Sequence, residues 1–240
     1  MLSIIVPAHD EAPLIGATLD ALFQATAWLD GDVEVIVVDD ASSDDTAAIA
    51  RRRGARVLQV EARQIAAARN AGAAVARGDR LLFVDADTLA NREVVAALMA
   101  AMDAGAVGGG VAVRFMRPLP LHMRIFESVS IVLFRLFGVT PGCFLFCTRE
   151  AFDAVGGFDE RLYVTEDVAL GRALRRVGRV VILREEVMTS ARKMRTYSAW
   201  EKLRAIVRFL RAPRKTSRDR RRLDLWYGGR RHEPPEDPRL

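Results

Sequence analysis

Apolar positions along the first hundred residues come in two rhythms. Short runs at Leu2–Val6, Val33–Val38, Arg56–Val60 and Arg80–Val84, each closed by polar or turn residues, predict strands, all but Arg56–Val60 of them buried. Between them the apolar residues recur at helical spacing. Pro13–Trp28 puts Leu14, Ile15, Leu19, Leu22 and Phe23 on one face. Ser42–Asp45 carries helix-start chemistry for a helix over Thr46–Arg53, ended by Gly54. Gln64–Arg77 is alanine-rich and stops at Gly78-Asp79, and Asn91–Met102 is a further helix. Strand–helix repeated four times specifies an α/β fold: a mostly parallel central sheet, helices on both faces, right-handed crossovers. Such sheets bind ligands at the carboxyl ends of their strands. The polar clusters stand there: Pro7–Glu11 after the first strand, Asp39–Asp44 after the second, Asp85–Asp87 after the fourth.

The rhythm changes after Gly105. Val107–Phe115 predicts a strand loosened by Gly108–Gly110, Leu119–Phe137 an apolar helix, and Gly142–Cys147 a strand with a short helix from Arg149. Gly156-Gly157-Phe158-Asp159 is a turn. Glu166–Arg176 is an amphipathic helix, Arg179–Leu183 a strand, and Ala199–Leu210 a last helix. Past Pro213, Arg, Asp and Pro dominate, and partial disorder is expected. The expected organisation is one domain over 1–200, with halves 1–104 and 105–200, followed by a basic segment over 201–240.

Charge sharpens that boundary. The 240 residues carry a net charge of +5, but 201–240 hold 13 of the 36 Lys+Arg and 6 of the 31 Asp+Glu, hence +7, leaving −2 for the rest. A basic tail suits an anionic membrane surface, here over 201–231, or a merely solvated segment. No recognition motif accompanies the charge, so nucleic acid is not expected. Leu2–Val6 is too short for a secretory signal, and no run of about 18 apolar residues predicts a membrane span. A cytoplasmic location is expected, peripheral on the inner face of the cell membrane. Cys143 and Cys147, on one strand, would stand roughly 13 Å apart, too far for a disulfide. The three histidines show no zinc spacing. Leu119–Phe137 has more apolar surface than one helix face needs. It reads as a buried helix, as a homodimer seam, or as a lip that dips into a bilayer or grips a lipid-linked acceptor.

The acidic clusters carry the candidate chemistry. Asp85-Ala86-Asp87 leaves a buried strand, and alternate residues of an extended segment point the same way. Two such carboxylates can hold a Mg2+-type ion whose other positions go to water and phosphates. Otherwise the acids are solvated and Asp87 caps the next helix. Asp39 and Asp40 end the second strand, where a carboxylate can accept from a base imide or a ribose hydroxyl; Ser42, Ser43 or Asp44 capping a helix explains the rest of that motif. Glu166-Asp167 opens a helix with Thr165 as N-cap. There an acid either answers the helix dipole or serves as a general base.

In order and spacing, these motifs resemble family 2 glycosyltransferases of the GT-A fold. The opening strand Ile4-Ile5-Val6-Pro7-Ala8-His9-Asp10-Glu11 is similar to that family's nucleotide-contacting turn, and Val35–Thr46 to its second strand. Arg69-Asn70-x-Gly72, Gly78-Asp79, the metal motif Asp85-Ala86-Asp87, Gly156–Asp159 and Glu166-Asp167 extend the likeness over 2–185. The resemblance implies an inverting transfer from a UDP- or GDP-linked sugar with Mn2+ or Mg2+ as cofactor. It places Pro7, Ala8, Glu11 and Asp40, with Asp39 beside it, around the base and ribose. Arg69 approaches the nucleotide, Asp85 and Ala86 line the donor site, Asp87 ligates the metal with support from Asp85, and Asp167 beside Glu166 is the base. Thr189–Lys193 falls where the family closes the diphosphate pocket, so Arg192 is a phosphate candidate. The Gln-x-x-Arg-Trp signature of processive members is missing. Two other classes stay open: a haloacid-dehalogenase-type phosphatase, which Leu89 disfavours, and a non-catalytic nucleotide-sugar-binding or membrane-scaffold protein.

Overall fold

A computed structural model describes residues 1–29, 32–137, 140 and 142–192, with 204, 217–219 and 223 of the tail. The first half alternates as expected: β1 (Leu2–Ala8), α1 (Ala12–Thr26), β2 (Val33–Asp40), α2 (Thr46–Arg52), β3 (Arg56–Val60), α3 (Ile65–Val75), β4 (Arg80–Val84), a two-residue β5 (Thr88–Leu89) and α4 (Arg92–Asp103). The second half holds β6 (Gly108–Phe115), α5 (Leu121–Phe137), β7 (Phe144–Thr148), α6 (Arg149–Val155), α7 (Glu166–Leu174) and β8 (Val180–Thr189).

One eight-stranded sheet runs β3-β2-β1-β4-β7-β6-β8-β5. β1 pairs in parallel with both β2 and β4, so the carboxyl ends of β2, β1 and β4 lie side by side and their polar clusters share one rim. β7 runs antiparallel to β4 and to β6, while β8 is parallel to β6. Alternation along each strand separates two cores. Ile4, Val6, Val37 and Leu82 face α1 and α4; Ile5, Ile36, Val38 and Phe83 face the layer of α3, α6 and α7.

Three differences from the sequence reading have physical causes. Gly108–Gly110 do not loosen β6. They sit between β7 and β8, where a Cβ on Gly109 would collide with the Val181 carbonyl and the Phe146 ring. β8 runs on to Thr189 because Arg184-Glu185-Glu186, which break the apolar run, pass a register shift opposite Val111/Ala112 and resume pairing. Asp87 does not cap α4: Asn91 does, its side chain accepting from the Val94 N–H. The helix expected over Ala199–Leu210 lies outside the described residues, apart from Arg204.

Candidate active site

The rim at the carboxyl ends of β2, β1 and β4 is built from loops under backbone strain. Among the described residues, the non-glycine positions with positive φ are Asp10, Ala41, Arg63 and Thr165. They follow β1, β2 and β3 and precede α7. Such conformations cost about 1–3 kcal/mol each and cluster at functional sites. Polar bonds lock the loops together. Ser42 Oγ accepts from the Asp10 N–H, Asp10 Oδ1 accepts from the Ser43 N–H, and Asp44 accepts from the N–H groups of Ala12 and Thr46. These side chains therefore tie the second loop to the first rather than simply capping α2.

Arg69 sits at the centre. Its guanidinium is buried and donates to Asp85 Oδ1, the Gly142 carbonyl and Glu166 Oε1, each at 2.8 Å. It also lies 5.2 Å from the Phe158 ring centroid. It thus joins the Asp85 strand end to the start of α7 and is not itself exposed on the nucleotide side. Asn70, next to it on α3, ties that helix to the turn after α6, donating to the Phe158 carbonyl and accepting from the Phe158 N–H. Glycine at 72 lets α3 sit on the sheet, since a Cβ there would meet Ile5 and Val38.

Pro7 and Ala8 end β1, buried, in register with Val38 and Asp39. The two aspartates of β2 differ. Asp40 accepts from the backbone N–H groups of Arg63 and Gln64, at 2.6 and 2.9 Å, and so anchors the entry to α3. Asp39 is 3% exposed, and its Oδ1 has no partner among the described residues. A buried carboxylate oxygen left open is an acceptor awaiting a donor. Ala86 is buried, its carbonyl accepting from Thr18, while Asp85 and Asp87 on either side reach the surface. Asp87 accepts from Thr189 Oγ1 at the end of β8, and its carbonyl accepts from the Ser190 N–H. Arg192, just beyond, is paired with Glu11 at 2.6 Å, closing the first loop against the end of β8.

Glu166 and Asp167 follow the strained Thr165, whose side chain makes no cap bond. Burial pushes the Glu166 carboxyl up to about 7, against the pull of the Arg69 cation. The Asp167 carboxyl is raised for the same reason, again opposed by Arg69. Thr140 Oγ1 donates to the Asp167 carbonyl, and a Cβ on Gly142 would fall 2.6 Å from Asp167 Oδ2. Gly142 and Thr140 were not legible as site residues, because only the antiparallel return of β7 brings them here.

Among the described residues no group of three or more His, Cys, Asp or Glu forms a metal cage. The donors at this rim are the oxygens of Asp85 and Asp87, with one Asp85 oxygen held by Arg69. That set fits a hard cation sharing its coordination with water and a phosphate ligand.

The model of the family described as "Glycosyl transferase family 2" matches residues 3–158. The chain belongs to that family. Validoxylamine A glucosyltransferase of Streptomyces hygroscopicus subsp. jinggangensis is 36% identical over 107 residues, 42% of this chain and 25% of that one. A 4,4'-diaponeurosporenoate glycosyltransferase of Staphylococcus aureus is 32% identical over 156 residues, 62% and 39% of the two chains. The chain thus spans about a quarter to two fifths of the length of these relatives. A mannosyltransferase of Pyrobaculum calidifontis, solved with GDP-Man and Mn2+, superposes with a TM-score of 0.70 at 25% identity, covering 89% of this chain and 64% of that one. Glucosyl-3-phosphoglycerate synthase of Mycobacterium tuberculosis, solved with Mn2+ and UDP, gives 0.63 at 23% identity, with 91% and 79% covered. The fold of this family 2 chain is GT-A, and the phosphatase reading falls away.

Proposed function

We propose that the protein is an inverting glycosyltransferase that moves a sugar from a UDP- or GDP-linked donor to an acceptor hydroxyl. The observation that carries this reading is the Arg69 clamp, which brings Asp85 of the donor half and Glu166, the neighbour of Asp167, in the acceptor half onto one guanidinium. Asp39 Oδ1 is the open acceptor for the base or ribose, with Pro7, Ala8 and Asp40 shaping that wall. Asp87 is the direct ligand for Mn2+ or Mg2+, and Asp85, held by Arg69, supports it. When bound, the ion offsets charge on the departing diphosphate. Arg192 reaches that diphosphate by leaving Glu11. Asp167 takes the proton of the acceptor hydroxyl as its oxygen attacks the anomeric carbon opposite the diphosphate, so configuration inverts with one base. Glu166 holds Arg69 and is a positioning residue. Glucosyl-3-phosphoglycerate synthase and the Pyrobaculum mannosyltransferase, with their bound nucleotides and Mn2+, support a divalent cofactor. The relatives' names specify unlike acceptors, validoxylamine A and diaponeurosporenoate.

The test is a thermal-shift screen of UDP- and GDP-sugars with and without Mn2+ or Mg2+. A metal-dependent shift that disappears in Asp87→Ala is expected; no shift with any nucleotide would sink the donor site. Asp167→Asn should keep that shift and lose transfer by roughly 10²-fold or more. Retained turnover moves the base elsewhere.

A further inference from the structure

Helix α5 is fixed to the body by its polar side and turns its apolar side to solvent. Glu127 and Ile131 are buried. Glu127 accepts from the Phe115 N–H and pairs with Arg117 and Arg114, which pins the helix over the end of β6. On the opposite side Leu121, Ile125, Val129, Val132, Leu133 and Leu136 are 44% to 73% exposed. Their spacing at 3 and 4 residues makes a continuous stripe about 22 Å long. This contradicts the buried-helix reading of Leu119–Phe137. No helix of the described residues is long and apolar enough to cross a membrane.

The charge of the sequence decides between occupants. The helix carries Arg124 and Arg135 against one acid, Glu127, which Arg114 and Arg117 already neutralise. Over the sequence as a whole the net charge is +5. Two copies packed stripe to stripe would bring like charges together, whereas a negatively charged lipid surface answers both the apolar stripe and the cations. We propose that α5 is an interfacial helix that seats the protein on an anionic lipid leaflet, with the Leu121–Leu136 stripe at the acyl boundary. The consequence rests on the transfer reading: α5 leads to Thr140 and Gly142, beside Asp167, so the candidate base is set near the leaflet.

The full chain is sedimented with phosphatidylcholine vesicles, with and without phosphatidylglycerol, at low salt. Wild type should pellet with the phosphatidylglycerol vesicles. Ile125→Glu/Val132→Glu, which alters exposed positions only, should lose roughly tenfold or more of that partitioning. The milder Ile125→Ser/Val132→Ser should fall between. Nucleotide-induced thermal shifts are read on the same samples. Their retention shows that the variants fold, and their absence in wild type fails the donor site without touching this proposal. Wild type that stays in solution overturns the proposal, as does vesicle binding that the Glu variant leaves intact. A wild-type dimer that the Glu variant splits, with no vesicle binding, overturns it in favour of a seam between copies.

Discussion

At the residue scale the site turns on a buried cation serving three acceptors. Removing one partner of such an arrangement strands the others. Arg69→Gln should lower stability by about 3–5 kcal/mol in urea unfolding, because Glu166 and Asp85 lose their counter-charge. Glu166 has a folded-state pKa raised from 4.5 to about 7 by burial. Its protonation therefore contributes stability that is fully present below pH 4.5 and is lost as pH rises through about 7. Unfolding free energies measured across that window should decline in the wild type and flatten in Glu166→Gln. Gly142→Ala probes the proposed base without changing it. The new Cβ would stand 2.6 Å from Asp167 Oδ2 and 3.1 Å from its Cγ, so the carboxylate must swing away. Steady-state kinetics should show a fall in kcat with the donor KM held; an unchanged kcat would remove Asp167 from that position.

At the scale of elements, the register of α3 on the sheet governs everything Arg69 touches. Gly72 packs where a Cβ would meet Ile5 and Val38, so α3 rides close to β1 and β2. Gly72→Val should cost about 1–3 kcal/mol in denaturant unfolding and weaken nucleotide binding in parallel, since Arg69 and the Asp40-anchored entry to α3 move with the helix. Element identity was legible along most of the chain, because strand runs and helical spacing were long enough to speak for themselves. The misses share one cause. β5 is two residues long, and the second part of β8 carries Arg184-Glu185-Glu186, so neither shows a periodic pattern. Both exist through pairing with strands distant in sequence.

For the whole molecule, the transfer reading predicts linkage between ligand and stability. A nucleotide sugar at about 100 times its Kd should add ~2.7 kcal/mol. A chelator should abolish most of that gain in calorimetry if the cation is part of the binding site, and leave it intact if it is not. The sequence by itself determined the α/β class, the family, and the three acidic clusters at strand ends, because local hydrophobic period and motif order carry that information without distant contacts. Tertiary structure alone decided how those acids divide their work. Which of Asp39 and Asp40 keeps an open oxygen depends on whether the Arg63 and Gln64 amides reach it. That Arg69 is buried between Asp85 and Glu166 depends on sheet order joining residues up to 97 positions apart. The apolar face of α5 looks the same in sequence whether covered or bare. Only its packing through Glu127 shows the face turned outward, since exposure is a property of neighbours and not of the helix.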